Sequence, residues 1–188
     1  MARANQTGTA VLGALSVEPM TGYALREAIR DVLGHFWSES FGQIYPTLDE
    51  LERQGHVDRQ GSKRTGASIF SLTRSGRRRL RELLAQPIQL VPPRNGLMLR
   101  LFFGRHLGAE ACRSLVLQAR EEAKGQLVRF EALRRELDAE QGYARDRAYW
   151  LLTISAGEHG ARATIGWADE TLAALRRIET RKEGRDGK

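Results

Sequence analysis

The stretch SFGQIYPTLDELERQGHVDRQGSKRTGASIFSLT, Ser40–Thr73, decides the fold. In its first half the apolar residues Ile44, Leu48 and Leu51 recur at steps of three or four, the stripe of an amphipathic helix. Ser40 can cap that helix and Gly55 can end it. Pro46 leaves two starts open. Either the helix begins at Pro46, where a proline is welcome, or it begins near Phe41 and bends, with Gly42 relieving the crowding four residues earlier. In the second half the period changes to two. His56–Arg59 and Ser68–Leu72 read as strands, joined by a polar, basic loop that contains Gly61 and Gly66.

Working toward the N-terminus, Val11, Leu12 and Leu15 mark a short helix over 8–17. Thr21 is a suitable N-cap for a second helix with Leu25, Ala28, Ile29, Val32 and Leu33 on its apolar face. Gly34 is expected to end it in a left-handed cap. Toward the C-terminus, Thr73-Arg74-Ser75-Gly76 leads into a helix through Leu80, Leu83 and Leu84. Three helices, a two-stranded hairpin and a further helix give the order of a winged helix-turn-helix, whose third helix enters the major groove.

Pro87, Pro92 and Pro93 break the helical pattern and mark a linker over 87–95. Beyond it Leu97–Arg105 is a short apolar stretch. Residues 110–138 carry Val116, Ala119, Ala123, Leu127, Phe130, Leu133 and Leu137 at helical spacing, and 143–178 carry a second such run. Two long helices with narrow apolar stripes bury themselves poorly as a pair, so a second copy of the chain is the economical partner. Folding back on the N-terminal half is the other option. The expected architecture is mainly α with a small β-hairpin wing: a winged helix-turn-helix domain over 1–86, the linker over 87–95, a helical dimerisation domain over 96–180, and a disordered tail over 181–188.

The chain has 188 residues and a net charge of +7. That charge is concentrated. Between Arg59 and Arg81 there are eight basic residues and no acidic one, so the rest of the chain sums to −1. A solvated face is one reading of such a cluster, and a contact with DNA phosphates is the sharper one. Cys112, the one cysteine, excludes an internal disulfide and a cysteine-based zinc site, and fits a reducing cytoplasm. No apolar run approaches the length of a spanning helix, and the polar N-terminus argues against a secretory signal.

The motif Thr21-Gly22-Tyr23-Ala24-Leu25 is followed by Gln43-Ile44-Tyr45-Pro46-Thr47-Leu48 with Leu51 and Gly55. Then come Ile69-Phe70-Ser71-Leu72-Thr73 and Gly76. In these residues the chain resembles the PadR family of bacterial transcriptional regulators, strongly over 8–85 and in architecture over 97–180. The resemblance implies a dimeric regulator that represses a nearby promoter and releases DNA when a small aromatic or amphipathic molecule binds. It also implies that the helix with Ile44-Tyr45-Pro46 is the recognition helix, with Gln43, Tyr45 and Thr47 toward the groove and Ile44, Leu48 and Leu51 in the core. At the wing this chain has Ala67 and Ser68 where the family commonly has basic residues. Lys63 and Arg64, earlier in the loop, can take their place.

Gln43 can pair with a base edge, adenine in particular. Tyr45 and Thr47 can donate to phosphate oxygens. Arg59, Lys63, Arg64 and Arg74 are the expected basic contacts. Of Arg77, Arg78 and Arg79 at most one or two can face the same duplex, since consecutive helical residues diverge. Tyr23 either packs on the third helix or reaches a phosphate. Asp49 and Glu50 would repel phosphate and are expected to face bases or solvent. Trp150 and Trp167 either stack on a planar effector or pack a dimer interface. Trp37 reads as a core anchor and Cys112 as a buried thiol.

The histidines His35, His56, His106 and His159 lack metal-ligand spacing, and no nucleophile–base arrangement or phosphate loop is present. The sequence therefore predicts no enzyme, metal or cofactor. The competing reading is a protein-interaction module that uses the same winged helix and helices without sequence-specific DNA binding.

Overall fold

The structure, a computed structural model, describes residues 2–34, 36–37, 41–61, 68–88, 94–140 and 142–186. The expected cap Ser40, the histidine His35 and the wing residues Lys63 and Arg64 lie outside the described residues. The chain forms two units, Met1–Leu90 and Val91–Lys188.

In the first unit the order is α1 (Ala2–Val17), β1 (Met20–Thr21), α2 (Gly22–Ala28), α3 (Phe41–Arg53), β2 (Val57–Gln60), β3 (Ile69–Leu72) and α4 (Arg74–Leu84). The apolar stripes read from the sequence meet in one core. Val11, Leu12, Leu25, Ile44, Leu48 and Val57 are its most deeply buried members. Trp37 packs against this core from its edge. Thr21 caps α2, its Oγ1 accepting the Ala24 N–H at 3.1 Å. Helix α3 starts at Phe41 and runs through Pro46, the second of the two starts the sequence allows.

Three features differ from the sequence reading. The sheet has three strands in the order β1-β3-β2, because Met20 and Thr21 pair antiparallel with Phe70 and Ile69. A two-residue strand is too short to show a period. The second helix passes into a π-helical turn at Ile29–Leu33 before Gly34. Gly34 itself has φ −58°, so it is not a left-handed cap; a Cβ there would lie 2.0 Å from the Arg30 carbonyl oxygen, and that approach explains the glycine.

The wing is tied to α4 by a compact joint. Thr73 Oγ1 accepts the Gly76 N–H at 2.9 Å and lies 2.8 Å from the Gly55 carbonyl, to which it donates. The Thr73 N–H donates to the His56 carbonyl at 3.2 Å, and His56 Nδ1 is 2.9 Å from Ser75 Oγ. Gly76 is buried against that same carbonyl, where a Cβ would fall 2.1 Å from the oxygen.

The second unit holds α5 (Gly96–Phe102), a 3-10 turn at Gly104–His106, α6 (Ala109–Ala139) and α7 (Arg147–Asp186). Asn95 caps α5 through a bond from the Met98 N–H at 3.1 Å. Helices α6 and α7 form an antiparallel pair, as their ion pairs show in reversed order. Arg120 meets Asp169 at 2.7 Å, Arg134 meets Glu158 at 2.8 Å, and Asp138 meets Arg147 at 2.7 Å. Val116, Ala123 and Phe130 of α6 are buried, as are Ile154, Ala161, Ala168 and Leu172 of α7. Cys112 is buried and its thiol faces the Gly104 carbonyl at 3.7 Å. Residues 181–186 continue α7 where the sequence suggests a disordered tail; Arg181, Lys182, Glu183 and Arg185 are good or neutral helix formers, and no proline stops them. No described helix is long and apolar enough to cross a membrane.

Candidate nucleic-acid interface

Helix α3 is amphipathic, and that decides what it presents. Ile44, Leu48 and Leu51 point into the core, so Gln43 and Tyr45 are exposed and Thr47 is half-buried at the margin. Gln43 and Thr47 stand one turn apart on one face. Tyr45 leans over the start of α2: a Cβ at Gly22 would lie 2.6 Å from Tyr45 Cε1. The two parts of the motif, Gly22-Tyr23 and Ile44-Tyr45-Pro46, are thus in contact, and glycine is what lets the ring lie down. Tyr23 does not pack away; it is 61% exposed, with the Arg26 guanidinium 5.3 Å from its ring centroid.

The acidic residues of α3 are matched by arginines. Glu50 receives Arg53 at 2.6 Å as well as the Gln54 amide, and the Arg53 hydrogen bond holds its carboxyl below the usual carboxylate range. Asp49 and Glu52 both take Arg59, the latter at 2.8 Å. Arg59 comes from β2, directly across from Phe70, and its guanidinium lies 4.7 Å from the Phe70 ring centroid. Its side chain is only 12% exposed. The sequence treats Arg59 as a member of the free basic cluster. The structure turns it inward.

The basic cluster divides further. The loop with Lys63 and Arg64 leaves the sheet beside the Gln60–Ile69 pair, whereas Arg74 follows the Val57–Leu72 pair at the other end. These ends are about 10 Å apart along the strands. Arg74, Arg77 and Arg81 share one exposed face of α4 and make no ion pair among the described residues, while Arg78 and Arg79 both approach Glu82, at 4.0 and 3.3 Å. Spacing along a helix makes the shared face of Arg74, Arg77 and Arg81 readable in the sequence. Nothing local signals the Arg59 pairing, because its partners are seven and ten residues away on another element.

In the second unit Trp150 is half-buried with its ring centroid 5.2 Å from that of Tyr143, and Trp167 packs at the edge of the cluster around Val116, Ala168 and Leu172. The two tryptophans stand 17 positions apart on one straight run of helix, about 25 Å by the α-helical rise. One protomer therefore does not bring them together.

Comparison with known proteins places both units. The profile of the PadR-like family of transcriptional regulators matches residues 11–82, and that of the virulence activator alpha C-terminal domain matches residues 93–176. The negative transcriptional regulator PadR of Bacillus subtilis is 27% identical over 176 residues, covering 88% of this chain and 95% of the relative. The crystal structure of that protein in complex with operator DNA is 22% identical and superposes with a TM-score of 0.75, covering 89% of this chain and 98% of that one. Its complex with p-coumaric acid is 23% identical with a TM-score of 0.72, covering 89% and 97%. These relatives are regulators rather than enzymes, and they do not favour a bare protein-interaction module. With a winged helix matched by the PadR-like model, a C-terminal helical unit matched by a second model and a regulator aligned across nearly its whole length, the chain carries a PadR-like domain and is similar throughout to PadR-like transcriptional regulators.

Proposed function

We propose that the chain regulates transcription as a homodimeric repressor that sets two copies of α3 into successive major grooves of a pseudo-palindromic operator. The observation that carries this reading is the outer face of α3. Gln43, Tyr45 and Thr47 are presented outward, and the acids behind them, Asp49, Glu50 and Glu52, are all paired with Arg59 or Arg53. Gln43 reads a base edge. Tyr45, Thr47 and Tyr23 donate to phosphates, and Lys63, Arg64 and Arg74 add charge along the backbone. The chain acts where the DNA is, in the cytoplasm.

A small aromatic or amphipathic effector releases the operator, as the p-coumaric acid complex of the Bacillus subtilis relative suggests. Trp150 and Trp167 offer flat apolar surfaces for it, in separate places. The effector acts only to the extent that it prefers the dimer form unable to span both half-sites.

The test is the salt dependence of binding to a duplex enriched by the wild-type chain from a randomised pool. Phosphate-driven affinity falls steeply with salt, and Lys63→Ala with Arg64→Ala lowers the log–log slope by up to about two units. An unchanged slope and affinity removes the wing from the interface.

A further inference from the structure

Among the described basic residues of the cluster, Arg59 is the one that the structure places between three elements. It stands on β2, takes carboxylates from α3, and covers an aromatic ring of β3. It is also the penultimate residue of its strand, next to the loop that holds Lys63 and Arg64. We infer that Arg59 does not touch DNA but is a positioning residue: it offsets one of the two negative charges of Asp49 and Glu52 on the recognition helix and pins the wing to that helix.

The physical argument has two parts. Asp49 is exposed and Glu52 partly so, on a helix that approaches a polyanion. Two free carboxylates there oppose phosphates at close range, and a shared guanidinium removes one unit of that charge and orients the rest. Both carboxylates take the same arm of the fork, Nη2, while the planar guanidinium lies over the Phe70 ring, and a lysine ammonium cannot lie on a ring in that way. The second part is mechanical. With the guanidinium held between the carboxylates of α3 and the Phe70 ring of β3, the start of the wing loop has a fixed height above α3, so groove and backbone contacts form together.

This inference rests on the DNA-binding reading, and the experiment separates the two with two arms on the full chain. Without DNA, hydrogen exchange is compared between wild type and Arg59→Gln. Faster exchange of the β2 and β3 amides is expected, and unchanged protection overturns the pin. With the duplex enriched from a randomised pool, Arg59→Gln is expected to weaken binding about tenfold or more, and adding Asp49→Asn and Glu52→Gln returns affinity to within about threefold with the wild-type salt slope. If Arg59→Gln instead lowers the slope by about one unit and the added substitutions restore nothing, Arg59 is itself a phosphate contact and the inference is overturned. Should Arg59→Gln not fold, Arg59→Lys is read on both arms; wild-type protection and affinity in that variant overturn the role of the fork. A wild-type chain that binds no duplex in a salt-dependent way overturns the DNA-binding reading and the charge role with it, while the exchange arm still decides the pin.

Discussion

At Gly22 a single missing methyl group decides how the motif is assembled. A Cβ there meets the Tyr45 ring at 2.6 Å, and the ring, half exposed, has room to swing away. Gly22→Ala should therefore cost little stability, less than about 1 kcal/mol. It should displace Tyr45 and weaken duplex binding several-fold, which a melting curve and a binding isotherm measure side by side. Unchanged affinity would detach Tyr45 from the interface. Glu158 works differently. It is nearly buried between α6 and α7, where Arg134 donates two hydrogen bonds to it at 2.8 and 3.1 Å and Arg162 stands 3.5 Å away. The Arg134 hydrogen bond holds its carboxyl below the ordinary value of 4.5. A carboxylate with a folded-state pKa below its unfolded one adds stability that is present above the unfolded value and lost as pH falls through the folded one. Wild type should thus melt above Glu158→Gln at neutral pH, and the gap should close as pH drops below the ordinary carboxylate range. A gap that persists in acid would mean that shape, not charge, makes the contact.

At the scale of elements, the pair α6–α7 is set by the closeness of its crossing. Phe130 lies against Gly157 so tightly that a Cβ at 157 would fall 2.3 Å from Phe130 Cζ. Gly157→Ala should cost about 1–3 kcal/mol by overpacking, and Phe130→Leu should recover part of that in the double variant, as coupled neighbours do. Additive losses in thermal melts would contradict the contact. The elements also show what a sequence makes legible. The stripe Ile44, Leu48, Leu51, the strands around Val57 and Phe70, and the cap Thr21 could all be read because each signal is local. The two residues of β1 could not, since their pairing with Phe70 and Ile69 is decided by the sheet. Pro46 left two helix starts open because proline suits a first turn and can also be carried inside when the residue four back is small. Among the candidate contacts, the outward placement of Gln43 and Tyr45 followed from the core stripe. The inward turn of Arg59 did not, because only folding brings β2 beside Asp49 and Glu52.

At the scale of the molecule, the two units present different surfaces. The acid-free run of basic residues from Arg59 to Arg81 lies in the winged-helix unit. The helical unit leaves large apolar side chains in solvent, Phe102 at 83%, Tyr149 at 71% and Leu152 at 67% exposed. Scattered apolar residues are ordinary, but side chains this exposed on both α5 and α7 are what an incomplete core looks like, and a second copy of the chain is the partner we propose for it. In the proposed dimer the distance between two copies of α3 is fixed, and that distance must be written in the DNA. The most direct measurement is therefore selection of duplexes from a randomised pool by wild type and by Gln43→Ala. The account predicts that wild type enriches an inverted repeat with half-site centres about one helical turn, roughly 10 bp, or a multiple of it apart, and that Gln43→Ala loses preference at one base pair in each half. An enriched site without two-fold symmetry, or one whose sequence Gln43→Ala leaves unchanged, would contradict it.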